Sequence, residues 1–413
     1  MASLMPVKPR GTDSRLNIMH VFRAPAGGLL RHVEDLVRGQ IAAGHRVGIL
    51  CASNGTCDSA TARLEALRPG LRLGLRRIPI SRIAHPRDLA AIATVRTLRS
   101  ELHLDILHGH GAKGGMMARL GVHRPPANVT AGTPDRQARA IYTPHGGSLH
   151  YDTRSLAGIL YLGAERLLNR RTDAFIFESM FAREAFAMKV GTPAAYSSIV
   201  HNGVGEGDFR PLPPAQKRYD IAFVGELRLL KGVDVLLDAL AALAGRNLRT
   251  VIAGDGPDRE HFIRRACDLG LAPQVTFPGA KPAREIFAQA HMVVVPSLAE
   301  SLPYIVLESI AAGMPVVTTR SGGIPEIFAG RENQLVPPGD ARALAAELTH
   351  TLDHREQALE TALEMRQDIA RRFSVGTMVE GVDDVYRTVM ADSKARDERI
   401  LDASHGQQTT AGA

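Results

Sequence analysis

Two α/β domains, each built on a parallel sheet, are predicted by three features of this 413-residue sequence. Apolar, β-branched runs of strand length alternate with helical-period segments along nearly the whole chain. The alternation breaks once, at 203–217 (GVGEGDFRPLPPAQK), whose Pro211, Pro213 and Pro214 mark a linker. The chain is also longer than one ordinary core, so a domain on each side of the break is the natural division.

In the first half, 16–22 (LNIMHVF) is expected to be a buried strand, 29–41 a helix ended by Gly44, and 47–51 a second strand. Gly27 and Gly28 fall at the start of that helix, where glycine lets a ligand approach backbone N–H groups at the positive end of the dipole. Close strand–helix packing would need them equally. Residues 88–102 read as a helix, 105–108 as a strand and 108–115 (HGHGAKGG) as a loop. That loop is no Walker A sequence, because no Ser or Thr follows Lys113. Residues 122–138 read as a polar loop, and 140–143 as a strand ending at Pro144-His145-Gly146-Gly147. His145 thus stands where α/β domains put ligands, or serves as a structural cap. Helix 156–171, strand 174–178, helix 180–189 and the segment 198–204 complete this half.

The second half restarts the pattern: strand 221–225, loop 226–232, helix 233–243, strand 249–253, Gly254-Asp255-Gly256-Pro257, helix 258–269, strand 275–277 and helix 283–290. Its most informative stretch is 292–326 (MVVVPSLAESLPYIVLESIAAGMPVVTTRSGGIPE), which reads as strand, loop, helix, strand and glycine turn. Glu300 lies in the loop and Glu308 in the helix, the part of a βαβ unit that meets ligands. A short strand at 334–336, helices at 341–352, 355–372 and 377–391, and a polar end follow.

The totals exclude several classes. Hydrophobic content of 45%, mean hydropathy of −0.06 and no apolar run of about 18 residues describe a globular chain without a membrane span. The first residues lack an apolar signal core, and Cys51, Cys57 and Cys267 form no CxxC pair, so a reducing cytoplasm is the expected location. Residues 1–200 hold 27 Lys and Arg against 14 Asp and Glu, while the remainder carries a net negative charge. A basic half fits contact with something anionic, or simply arginine-rich composition. Nucleic acid is disfavoured, since aromatics are only 5%, Trp is absent and no helix-turn-helix stands out.

The ordered set GGLLRHVEDL, TPHGG, HNGV, VGxLxxxKG, GDGP, ESLPYIVLE, GGIPE and LVPPGD resembles the retaining GT-B glycosyltransferases of family 4 (glycosyl transferases group 1), of the bacterial exopolysaccharide and cell-surface glycan type. The resemblance spans most of the chain. It implies two Rossmann-like domains facing across a central cleft, with a C-terminal helix crossing back to the first domain. On it the chain divides into a flexible N-terminus (1–14), an acceptor-side domain (15–202), a linker (203–218), a nucleotide-sugar domain (219–374), the crossover helix (375–393) and a disordered tail (394–413).

The resemblance further implies transfer of a hexosyl residue from a nucleotide-diphosphate sugar to a glycan or polyprenyl-diphosphate-linked acceptor, with retention, and peripheral contact of the basic half with an anionic membrane. Glu308 would accept from the ribose hydroxyls, and Glu300 would face the donor sugar with the amides of Ser301 and Leu302. Lys231 and Arg228 would meet the diphosphate, with Gly27 and Gly28 approaching from across the cleft. His145 would bond the sugar or orient the acceptor. Two departures stand out: Glu226 occupies the place where the family usually has arginine, leaving Arg228 to substitute, and Leu302-Pro303 replaces the frequent Phe-Gly, removing one N–H. No DxD-type metal cluster is evident, so neither a metal nor another cofactor is expected. A nucleotide-sugar-binding protein without transferase activity, an epimerase or a sugar phosphorylase would share this fold. A dinucleotide oxidoreductase is disfavoured, because no GxGxxG follows either opening strand.

Overall fold

The computed structural model describes residues 15–54, 58–83, 85–122, 138–150 and 152–408, with side chains as far as residue 391. The expected flexible N-terminus and nearly all of the loop at 122–138 lie outside the described residues.

The first sheet has seven strands: β1 (Asn17–Phe22), β2 (Arg46–Ala52), β3 (Gly74–Ile78), β4 (Ile106–His110), β5 (Arg139–Thr143), β6 (Ala174–Phe177) and β7 (Tyr196–Ile199). All pair in parallel, in the order β3-β2-β1-β4-β5-β6-β7. The second has five: β8 (Tyr219–Val224), β9 (Thr250–Ala253), β10 (Val275–Thr276), β11 (Ala290–Val295) and β12 (Val316–Thr318), ordered β10-β9-β8-β11-β12 and again parallel. Because helices cover both faces, the central strands are mostly apolar on both sides rather than alternating. Met292, Val293 and Val294 of β11 are fully buried, each contributing about 1.5–3 kcal/mol of transfer free energy. One face packs Leu236, Leu240, Phe262 and Leu348; the other packs Val306, Leu307 and Ile310 with Ile369 and Phe373.

The last helix, Val375–Gln408, returns to the first domain. Its Met378, Val382, Val385, Tyr386 and Val389 are buried against Ile18, Ile106, Ile141 and Ile176. It also runs on through 394–408, which the sequence reads as tail. Those residues lack an apolar stripe, and their Ala, Arg, Glu and Leu content favours helix by propensity alone.

A second difference concerns 108–115, expected as a loop. His108–His110 complete β4, and Gly111 begins the helix Gly111–Val122. The glycines serve packing: a Cβ on Gly114 would stand 2.1 Å from the carbonyl oxygen of Val21. Helix and sheet touch backbone to backbone there, so this segment is part of the packed first domain rather than a loop. The strand expected at 334–336 reduces to a 3-10 turn, Glu332–Gln334, and a single bridge from Val336 to Thr319.

Candidate active site

In each sheet the strand order reverses once, between β1 and β4 and between β8 and β11. Loops leaving the C-terminal ends at such a switch point diverge to opposite faces and open a crevice. In the second sheet those loops hold Lys231 and Glu300. Lys231 closes the 3-10 turn Leu229–Lys231, and Gly232 at φ 68° caps the helix Val233–Ala242 that follows. A Cβ on Gly232 would lie 2.0 Å from the carbonyl oxygen of Pro296. Glycine therefore lets the lysine loop press onto the Glu300 loop. Lys231 Nζ donates to Glu300 Oε1 at 2.6 Å, and Ser297 Oγ donates to the same oxygen at 2.7 Å. Glu300 is buried, whereas the Lys231 side chain keeps 26% of its surface exposed.

The glycine turn behind this loop is its support. Gly322 has φ 58°, and a Cβ there would stand 1.8 Å from the carbonyl oxygen of Glu300. The N–H of Gly323 donates to the carbonyl of Ser301 at 2.7 Å. Leu302 is a core residue, and Pro303 occupies the N-cap of the helix Tyr304–Ala311. At a helix start the missing proline N–H is one the helix would leave unpaired anyway, so Leu302-Pro303 is accommodated without breaking the element.

Glu308 faces the other domain. Its Oε1 accepts from Arg31 Nη1 at 2.5 Å, while Arg31 Nη2 donates to Asp208 Oδ2 at 2.5 Å and Nε to Asp35 Oδ2 at 3.3 Å. One guanidinium from the helix Gly27–Ala42 thus serves three carboxylates. Burial raises the pKa of Glu308 and of Asp35, and Arg31 opposes the rise in both. For Arg31 itself burial disfavours the cation, but Glu308 and Asp208 outweigh this and hold it firmly protonated. The same helix reaches the second domain at Gly28, whose added Cβ would stand 3.2 Å from the ring of Tyr304. Gly27, at φ 55°, has open space instead.

Behind that contact lie five histidines, of which sequence reasoning singled out only His145. His20 lies on β1, His108 and His110 on β4, His32 on the first helix and His145 just after β5. Residues i and i+2 of a strand share a face, which is how the His-Gly-His run brings two rings together; their centroids are 4.0 Å apart. His20 Nε2 meets Gln40 Oε1 at 2.8 Å, His20 Nδ1 meets His110 Nε2 at 2.9 Å, and His110 Nδ1 meets His145 Nε2 at 3.1 Å. An amide oxygen only accepts, so His20 donates from Nε2, His110 donates to His20, and His145 donates to His110. Burial keeps all five rings neutral: the pKa falls to about 4 for His20 and about 3 for His145, and well below the usual value for the other three. His145 itself adopts φ 50°, a left-handed backbone uncommon outside glycine.

The domains meet at further polar contacts that no local pattern announces. Glu326, from the GGIPE turn, accepts from the N–H groups of Met180 (2.9 Å) and Phe181 (3.1 Å) at the N-terminus of the helix Met180–Lys189, and contacts His201 Nε2 at 3.1 Å. Ser301 Oγ donates to Glu178 at 2.6 Å, and Asn202 Nδ2 donates to the carbonyl of Leu302 at 2.8 Å. Arg228, by contrast, is exposed and paired loosely with Glu226 at 3.8 Å.

Two parallel α/β domains closed on one another, with charged loops at the switch point of the second and a helix returning to the first, define a GT-B glycosyltransferase scaffold. Solved structures share it: sucrose-phosphate synthase from Thermosynechococcus elongatus superimposes with a TM-score of 0.73 at 19% identity, covering 92% of this chain and all of that one. WaaG, a glycosyltransferase involved in lipopolysaccharide biosynthesis, gives 0.65 at 19% identity over 90% of this chain and 99% of that one. The sequence profile described as Glycosyltransferase Family 4 matches residues 26–206, and that of Glycosyl transferases group 1 matches 218–354. The chain belongs to this glycosyltransferase family. It is 28% identical over 333 residues to the putative glycosyltransferase EpsD of Bacillus subtilis, covering 76% of this chain and 84% of that one. It is also 28% identical to a GDP-mannose-dependent phosphatidylinositol monomannoside mannosyltransferase of Mycobacterium tuberculosis, over 66% of this chain and 74% of that one.

Proposed function

We propose that the protein transfers a hexosyl residue from a nucleoside-diphosphate sugar to a glycan or polyprenyl-diphosphate-linked glycan, with retention at the anomeric carbon, in the assembly of a surface polysaccharide. The observation that carries the reading is the convergence of Lys231 and Glu300 at the switch point of the second sheet. Lys231, with the N-terminus of the helix Val233–Ala242 beside it, supplies positive charge for the leaving diphosphate. The reaction then needs no divalent metal. Arg228, exposed at the same loop, is free to swing onto the phosphates.

A carboxylate bonded to a lysine and a serine hydroxyl is a weak nucleophile, so Glu300 acts electrostatically, binding the donor sugar and favouring positive charge at its anomeric carbon. The C1–O bond to diphosphate breaks, the acceptor oxygen bonds to C1 on the same face, and a diphosphate oxygen takes the acceptor proton. The backbone amides of Ser301 and Leu302 donate to sugar or phosphate oxygens, and Glu308 accepts from ribose once Arg31 yields one of its oxygens. Gly27 and Gly28 offer backbone at the facing helix start, and His145 holds the sugar or acceptor.

Membrane contact is supported by the helix Leu156–Asn169. Leu156 is 87% exposed, Ile159, Leu160 and Leu167 are also exposed, and Arg154, Arg166, Arg170 and Arg171 lie exposed around them. Apolar tips ringed by arginine suit an anionic surface on the cytoplasmic face. No described helix is long and apolar enough to cross a membrane.

The test is acceptor-dependent release of nucleoside diphosphate from a donor panel, in the presence of chelator. Glu300→Ala and Lys231→Ala should each lower release by about 100-fold or more while circular dichroism stays native. Wild-type turnover in Glu300→Ala would overturn the assignment, and donor binding without release would favour a binding protein.

A further inference from the structure

We propose that His32, His110 and His145 form a binding site for one zinc-class divalent ion on the first domain. Each offers one ring nitrogen, and the three nitrogens lie within 4.8 Å of one another. Tetrahedral zinc with ligands at about 2.0–2.1 Å needs nitrogen separations of about 3.4 Å. The His110 Nδ1 to His145 Nε2 separation of 3.1 Å is already close to this.

On His32 and His110 the remaining nitrogen is placed as a ligating histidine requires, turned to a neutral acceptor that fixes ring and tautomer. His32 Nδ1 lies 3.0 Å from Asn202 Oδ1, and His110 Nε2 donates to His20, which in turn donates to Gln40. His32 therefore has only Nε2 left to offer, and that atom is fully buried with no hydrogen-bond partner among the described residues. A buried unpaired ring nitrogen calls for an explanation, and an ion between the three rings supplies one. His110 already presents a lone pair at Nδ1; His145 needs only to move its proton from Nε2 to Nδ1.

A second trio, His20, His108 and His110, is as close but does not fit. Both nitrogens of His108 are engaged, at 2.7 Å with Tyr386 and 2.8 Å with Thr143. His145 is also the only half-buried member of either trio, which gives the first set a route from solvent. Three imidazoles without a carboxylate select zinc, cobalt, nickel or copper over magnesium or calcium. Lys231 and Glu300 take no part, so this ion is not one that bridges a diphosphate, and the inference stands whether or not the protein is a transferase.

The test uses full-length protein stripped with chelator and titrated with Co²⁺, then Zn²⁺. His350 and His354 form an exposed pair one helical turn apart, with ring centroids 4.4 Å apart, and would capture metal adventitiously; both are replaced by alanine in the background. One equivalent of Co²⁺ should give a visible ligand-field band that Zn²⁺ displaces, and His32→Ala or His110→Ala should abolish it. Asn202→Ala, which spares the ligands, should weaken binding about 10–100-fold. X-ray absorption of the zinc-loaded protein, which needs no variant, should show three imidazoles. Fewer than three imidazoles, or a band that vanishes in the His350/His354 background or persists in His32→Ala, would overturn the site.

Discussion

Arg31→Met isolates the inter-domain contact at Glu308. Arg31 is the cation shared by Glu308, Asp208 and Asp35 at 2.5, 2.5 and 3.3 Å, with 23% of its side chain exposed. Removing one partner of a buried pair costs about 3–5 kcal/mol; partial exposure here screens the charges, so about 2 kcal/mol is the working figure. The loss should depend on pH with a definite sign. Burial holds the folded-state pKa of Glu308 and Asp35 above the ordinary values of 4.5 and 3.8. An acid with a raised folded pKa weakens the fold where it is ionised, above that pKa, and the penalty disappears below the unfolded value. Without Arg31 both pKa values rise further, so the variant should be least stable at pH 8 and recover towards pH 4–5 relative to wild type. Scanning calorimetry at pH 8 should show a midpoint lowered by about 4–8 °C, taking about 2–4 °C per kcal/mol for a domain of this size. An unchanged midpoint, or a deficit that grows on acidification, would refute the assignment of Arg31 as the cation that compensates these carboxylates.

Three further outcomes follow from the same geometry. Gly322→Ala puts a methyl where the Glu300 carbonyl stands, 1.8 Å away, so it should displace that loop and lower transfer by at least as much as Glu300→Ala, read in the diphosphate-release assay. Arg119→Met leaves Glu165 without the guanidinium at 2.9 Å in a site where the arginine is fully buried; about 3–5 kcal/mol of stability should be lost in urea unfolding. Glu326→Gln weakens the cap on the helix Met180–Lys189 by about 1 kcal/mol. Although burial opposes it, His201 and the amides of Met180 and Phe181 hold the Glu326 carboxyl below its usual range. Its contribution is therefore present above about pH 4.5 and lost on acidification, so wild type and variant should converge in melting temperature at low pH.

The sequence by itself determined what depends on local pattern. Strand–helix alternation, the proline break and the placement of Lys231 and Glu300 in loops after apolar strands are all set by neighbours within about ten residues, because strand and helix periods are short. The loop expected at 108–115 shows the limit: glycines that end an element and glycines that let helix meet sheet look alike until the packing partner, here Val21, is known.

Only the tertiary structure decided the rest. Arg31 meets Glu308 across 277 positions and Glu326 meets Met180 across 146, and each contact exists only because two domains close. The five clustered histidines come from two strands, a helix and a loop, and of them local pattern marked His145 alone as a site residue. Their common property, neutral imidazoles packed ring against ring, arises from desolvation, which is a property of the folded volume and of no single segment.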